Sequence, residues 1–245
     1  MKKNAANTNS TVNPQLQFIP ERREVDAAAA LKMAEKCTDY NDSRRDAQNF
    51  RCVEIRGVKF LNEDLSGVEM HYGKFVDCEF EACRIGNSEW FFAELDNCVF
   101  NNCSLKNANF SFAAVKAVFR NCDLRGADFP FASGEITCHN CMMENCTAQN
   151  AELRLILTDA NARGFEANSA RLDLKVGDSN LRGAEFNDGH LRGEISRSDL
   201  GGAELNRSDL TDLKLIDCAV SGLETENAVG LEEDMDSLED ILDED

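Results

Sequence analysis

From Phe50 onward a large apolar residue returns at every fifth position: Phe50, Ile55, Phe60, Leu65, Met70, Phe75, Phe80, Ile85, Trp90, Leu95, Phe100, Leu105, Phe110 and Val115. A period of five matches neither the 3.6 residues of a helix nor the 2.0 of a free strand. A chain with this pattern must turn a corner once in every five residues. Two positions before each bulky residue stands a mostly small or compact one, such as Val53, Gly73, Cys78, Cys83, Ser88, Ala93 and Ala108, with Glu63 as the exception.

If four such sides close one coil, residues twenty apart stack in columns of like type, as they do in solenoids. Phe60, Phe80 and Phe100 form such a column, and Cys78 and Cys83 recur as Cys98 and Cys103. After Val115 the frame slips back by one residue, so that Phe119, Leu124 and Phe129 continue it. Phe60, Phe80, Phe100, Phe119, Leu105, Leu124 and Phe129 are the expected core. The pattern then blurs through residues 130–180 and resumes at Leu181, running to Val220. The expectation is two regular stacks around an irregular middle that is either a kinked coil or a loop.

The triplets Ala108-Asn109-Phe110, Ala127-Asp128-Phe129, Ala184-Glu185-Phe186, Ser198-Asp199-Leu200, Ala203-Glu204-Leu205 and Ser208-Asp209-Leu210 resemble the consensus of the pentapeptide repeat family. The resemblance covers residues 48–230. It implies an all-β solenoid, a right-handed quadrilateral β-helix, with the bulky residue and the small one before it pointing inward. Roughly nine coils at about 4.8 Å each predict a rod about 43 Å long.

A solenoid exposes edges at both ends, and the flanking segments are expected to cover them. Residues 1–19 are Asn-, Thr- and Ser-rich and are expected to be disordered. Residues 20–47 read as a helical N-terminal cap, with helix over Val25 to Cys37 around the alanine run at 27–30. Residues 231–245 place Leu231, Met235, Leu238, Ile241 and Leu242 at helical spacing among nine carboxylates. This segment reads as a C-terminal cap helix, a homodimer-forming helix, or an acidic arm for a basic partner.

Charge narrows the function. The chain carries 45 acidic and 26 basic residues, net −19. Residues 1–47 contribute 8 basic and 7 acidic groups, residues 48–230 contribute 18 and 29, and residues 231–245 contribute none and 9, giving +1, −11 and −9. That balance argues against direct binding to nucleic acid or to an anionic membrane, and for a protein partner with a basic surface. No stretch reaches the roughly 20 apolar residues of a membrane helix. Eleven cysteines, an odd number behind a polar start, read as free thiols of a reducing, cytoplasmic compartment.

Cys138, His139, Cys141 and Cys146 are the weak metal candidates. A single Cys-x2-Cys with one His lacks the second pair of a zinc site, and the spacing from Cys141 to Cys146 is that of the repeat itself. No cofactor is expected. No phosphate-binding glycine loop, nucleophile elbow or HExxH motif occurs, so the chain reads as a non-enzyme. Phe91 and Phe92, at a corner, are candidate contacts, as are Pro130, Phe131 and Glu135 on an expected projecting loop and Glu232, Glu233, Asp234 and Asp236 of the tail.

The best-understood members of the family that the chain resembles are acidic rods that mimic DNA and bind DNA gyrase or topoisomerase IV, some of them conferring antibiotic resistance. The resemblance therefore implies a non-enzymatic, partial DNA mimic for a DNA-handling enzyme. The alternative is a protein-interaction scaffold or a bacterial effector translocated into a host cell, for which residues 1–15 would serve as signal. The two separate on whether the acid forms one continuous face.

Overall fold

The computed structural model describes residues 20–37 and 50–230. Strand β1 (Arg23–Val25) and helix α1 (Ala27–Cys37) precede the coils. The two opening coils hold two short strands each, β2 (Val53–Arg56) and β3 (Lys59–Leu61), then β4 (Lys74–Val76) and β5 (Glu79–Glu81). The later coils hold one longer strand each: β6 (Glu94–Asn101), β7 (Ala114–Arg120), β8 (Ser133–His139), β9 (Glu152–Thr158), β10 (Arg171–Gly177), β11 (His190–Ser196) and β12 (Asp209–Ile216). All pair in parallel, each coil on the next, into a β-solenoid. The expected right-handed quadrilateral β-helix is thereby realised as a stack of about nine four-sided coils.

The core is the interior of the coil, and its columns follow the bulky residues. Phe60, Phe80, Phe100 and Phe119 are fully buried and stack with ring centroids 4.8, 4.6 and 4.8 Å apart. Leu105, Leu124 and Phe129 are equally buried, and Phe129 stacks on Phe110 at 4.9 Å. Trp90 is fully buried and donates its indole N–H to Ser88 Oγ at 2.7 Å, which in turn donates to the Ile85 carbonyl. A buried tryptophan is thus tolerated because its one donor is satisfied.

Residues 130–180 are regular coils, contrary to the expectation of an irregular middle. The register from β2 through β4 and β6 to β7 advances by twenty residues, Glu54 to Lys74 to Glu94 to Ala114. From there to β12 it advances by nineteen: Ser133, Glu152, Arg171, His190, Asp209. In the early coils a left-handed residue, Gly57, Asp77 or Asn97, bends the chain between its second and third sides. The register shift after Asp96 removes that residue from every coil of β7 to β11, and the two sides run on as one seven-residue strand. A fixed frame of five that slips only once loses this pattern, because the slip recurs every coil.

Residue sizes add to the blur. Cys138 occupies the Phe119 column, and its smaller side chain is compensated by Ile136 two positions earlier. In the next coils Phe165 takes the position usually small, while Ala162 and Ala167 take the bulky ones, all at 0–2% exposure. Total volume inside each coil is kept although the order of large and small is reversed. Gly134 stands where Val115 stood one coil earlier, with φ of 118°, and a Cβ there would meet the Val115 carbonyl oxygen.

At the N-terminal end Arg23–Val25 pairs with Val53–Ile55 as a further strand rather than joining the helix, which starts at Ala27. Asp26 caps it, its carboxylate accepting the Ala29 N–H at 2.8 Å. Ala30 and Ala34 of α1 pack into the core cluster, so the helical reading is kept with a shorter span. The expected C-terminal cap and the tail carboxylates Glu232, Glu233, Asp234 and Asp236 lie outside the described residues, as do residues 1–19 and 38–49.

Candidate functional site: two ladders on the first side

The first side of the coil carries, as its inward residues, Phe50, Met70, Trp90, Phe110, Phe129, Ala148, Ala167, Phe186 and Leu205, all at 0–1% exposure. Its outward residues are one before, one after and two after each of these, the last forming a left-handed corner. Asn or Asp fills fifteen of the twenty-four non-glycine left-handed positions among the described residues, as expected from their tolerance of that conformation. Four consecutive coils of this corner hold aromatics instead: Tyr72, Phe92, Phe112 and Phe131, with φ between 56° and 59°.

These rings form an external ladder. Tyr72 stacks on Phe92 at 5.3 Å, Phe92 on Phe112 at 5.0 Å, and Phe112 on Phe131 at 4.8 Å. Phe91 closes on the ladder edge-on, 4.6 Å from Phe92 and 5.2 Å from Phe112. Phe131, its last rung, is 48% exposed. A left-handed bulky residue costs roughly 1–2 kcal/mol, while a stacked aromatic pair returns about 0.5–1.5 kcal/mol. Stacking therefore offsets the backbone strain without clearly exceeding it.

Further along the same side the outward residues change character. Glu166, Glu185, Glu204 and Glu224 lie on successive coils in register. Each accepts a hydrogen bond from an amide of the preceding coil: Gln149 to Glu166 at 3.2 Å, Asn168 to Glu185 at 3.1 Å, Asn187 to Glu204 at 2.9 Å and Asn206 to Glu224 at 3.3 Å. Among the described residues none of the four joins an ion pair. The Asn side chains are themselves anchored, Asn168 Oδ1 accepting the Asn187 N–H and Asn187 Oδ1 the Asn206 N–H, both at 2.9 Å. A neutral donor holds each carboxylate in place, and the nearby cation Arg207 interacts with Glu204 through space rather than by contact.

Part of the acid elsewhere is paired from coil to coil, while Asp77 and Glu81 are held by the Asn97 and Asn102 amides. Lys59 reaches Glu79 at 2.8 Å, Arg84 Asp64 at 2.8 Å, Arg154 Glu135 at 3.6 Å, Arg192 Asp173 at 3.3 Å, and Arg197 Asp178 at 2.6 Å. Arg125 and Lys106 both engage Asp123, and hydrogen bonding from Arg125 holds that carboxyl below the usual range. Arg207 at the neighbouring corner is engaged by Asp188 at 2.8 Å.

Of the residues singled out from sequence, Phe91, Phe92 and Phe131 come together in the aromatic ladder. Pro130 and Phe131 do not top a projecting loop: the Pro130 carbonyl accepts the Phe112 N–H and the Phe131 N–H reaches the Gln149 carbonyl, both in coil register. Glu135 lies on the second side, paired with Arg154. Cys138, Cys141 and Cys146 point inward at 0–2% exposure. Cys141 donates to the Phe119 carbonyl at 3.5 Å and Cys146 to the Leu124 carbonyl at 3.0 Å. Burial pushes the Cys146 thiol up to about 12. His139 is outward, in the strand register of Arg120 and Thr158. His71 is half-buried beside Phe91, and burial lowers its pKa.

Tyr72, Phe112 and the four column glutamates are not among the contact candidates read from sequence, although Glu185 and Glu204 stand in its repeat triplets. The signal was present as identity at offsets of twenty and nineteen: Tyr72, Phe92, Phe112, Phe131, and Glu166, Glu185, Glu204. Reading inward columns alone passes over it.

A family model described as pentapeptide repeats (8 copies) matches residues 92–116 of the chain. No curated protein matches the chain. Among solved structures, QnrB1, a plasmid-mediated fluoroquinolone resistance protein, is 19% identical over 91% of this chain and 95% of its own, with a TM-score of 0.35. HetL, a pentapeptide repeat protein involved in heterocyst differentiation regulation from the cyanobacterium Nostoc sp. strain PCC 7120, is 18% identical over 83% and 94%, with a TM-score of 0.33. Rfr23 from the cyanobacterium Cyanothece 51142 is 22% identical over 51% and 63%, with a TM-score of 0.18. With its five-residue period, its stacked four-sided coils and the family-model match over residues 92–116, this chain carries the repeat and the fold of the pentapeptide repeat family.

Proposed function

We propose that the chain is a binding protein whose acidic first side engages the basic, DNA-contacting surface of a DNA-handling enzyme such as DNA gyrase or topoisomerase IV, as a partial mimic of DNA. The observation that carries this reading is the column Glu166, Glu185, Glu204 and Glu224, held by amides and without contact ion pairs among the described residues. Coils about 4.8 Å apart place one carboxylate where one DNA strand places a phosphate every 3.4 Å. The linear charge density is about 0.7 of a single DNA strand. The paired charges of the other sides contribute little at a distance because each cancels within its own contact. Mimicry is thus centred on this strip of a rod of net −11.

The test is supercoiling by purified gyrase with and without the full chain, at two salt concentrations. The expected result is altered supercoiling that weakens at the higher salt, and weakens again when Glu185 and Glu204 are both replaced by Gln. Unchanged supercoiling together with no salt-sensitive association would remove the proposal.

A further inference from the structure

The aromatic ladder stands apart from the acidic column and points to a second docking surface. We propose that Tyr72, Phe92, Phe112 and Phe131, with the carboxylates of Glu89 and Asp128 beside them, receive a basic amphipathic helix of a partner protein, lying parallel to the long axis of the rod. This proposal does not depend on the acidic-column reading.

Three features argue for this occupant. The first is spacing. Ring centroids of successive rungs lie 5.3, 5.0 and 4.8 Å apart. An α-helix advances 5.4 Å per turn, so apolar residues at i, i+4, i+7 and i+11 meet successive rungs. An extended strand repeats on one face every 6.4–6.8 Å and falls out of step within two rungs.

The second is charge. Glu89 accepts from the Asn109 amide at 2.9 Å and Asp128 from the Thr147 hydroxyl at 2.8 Å. Among the described residues neither carboxylate forms an ion pair. Both stand three residues before the aromatic corner of their coil, on the same side of the rod. A helix about 10 Å across, seated on the rings, sets lysine or arginine side chains on its flank against them.

The third is that the fold does not need the rings. Asn150, Asp188 and Asn227 occupy the same corner in later coils at φ of 57° each, where a small polar residue adopts that backbone with less strain. Aromatics that are unnecessary to the corner, gathered on four consecutive coils and exposed at the last, are arranged for contact with something outside the rod.

The probe is a fluorescein-labelled sixteen-residue helical peptide with leucine at positions 1, 5, 8 and 12 and lysine along one flank, titrated by anisotropy into the full chain. A control peptide carries glutamate in place of lysine. The native chain should bind the lysine peptide at least tenfold more tightly than it binds the control. It should also bind it at least tenfold more tightly than does the variant with Phe92→Asn, Phe112→Asn and Phe131→Asn, which places the residue of position 150 at each corner. Where the triple variant fails to fold by circular dichroism, Phe131→Asn alone must weaken binding at least threefold. The Glu185→Gln, Glu204→Gln chain should keep full peptide affinity, which separates this surface from the acidic column. Equal affinity for native and variant chains, equal affinity for the two peptides, or no binding overturns the proposal. Sedimentation that shows a native dimer dissolved by the triple variant also overturns it, assigning the ladder to a second copy of the chain.

Discussion

The first side of the rod is built twice from the same backbone, and its two halves differ most in what they turn outward. Over coils two to five the left-handed corner carries Tyr72, Phe92, Phe112 and Phe131, and the rings cover one another. In later coils that corner carries Asn150, Ser169, Asp188 and Arg207, and the side displays amide-clamped glutamates. The inward columns are continuous through both halves, and the ladder hydrogen bonds pass from one to the other without a break. Because outward residues do not fill the coil, the surface is free to vary while the scaffold stays constant. One half is suited to apolar contact and the other to electrostatic contact.

Breaking the scaffold should remove both halves together. Phe80→Asp sets a carboxylate among Phe60, Phe75, Trp90 and Phe100 and should cost more than about 5 kcal/mol. The expected outcome is loss of the β signal in circular dichroism at 25 °C, whereas a stable half-rod would show that the halves fold separately.

A smaller effect should separate the halves. Replacing Glu166, Glu185 and Glu204 by Gln together keeps each amide contact and deletes three like charges about 4.8 Å apart. Affinity for a basic partner surface should fall about tenfold or more, with a shallower salt dependence, while the urea midpoint stays level or rises slightly. The same replacements at the paired carboxylates Glu79 and Asp173 should change affinity far less.

In the aromatic half, Phe112→Asn trades two ring stacks for a residue at ease in the left-handed region. The two contributions oppose one another, so the net change in stability should lie within about 1 kcal/mol. Phe112→Ala, which loses the stacks without the same relief, should be the less stable of the two by thermal melting.

The smallest effect concerns the end of the rod. Glu63 stands in the inward register beneath α1, and burial followed by repulsion from Glu35 raises its pKa above the ordinary carboxylate value. The folded state then binds the proton more readily than the unfolded chain does. Stability is therefore lost as pH rises from the unfolded value through the raised folded one. Glu63→Gln should raise the urea midpoint at pH 7 and leave it nearly unchanged below about pH 4. A constant difference at both pH values would show that Glu63 acts through packing instead.

Much of the fold was legible because the five-residue period and the twenty-residue columns are properties of inward side chains, which packing constrains tightly. The coils from Phe129 to Leu181 were not, and the reason is local. A corner residue is dropped once per coil, and Cys138, Ala162, Phe165 and Ala167 exchange large for small in places that only three dimensions bring together. The candidate site was legible in fragments: Phe91, Phe92 and Phe131 stood out as aromatics in outward frames. Tyr72 and Phe112 did not, since their partners lie nineteen or twenty residues away.

By itself the sequence settled that this chain coils in four short sides around an apolar interior, because a period of five admits no helix or flat strand. It also set the net charge and its partition between rod and tail. Only the tertiary structure decided which carboxylates are neutralised. Asp173 and Glu185 are both outward acids, yet one meets Arg192 on the next coil and the other meets an asparagine amide. Stacking at a fixed register chooses each side chain's neighbour, and the neighbour decides whether the charge reaches solvent.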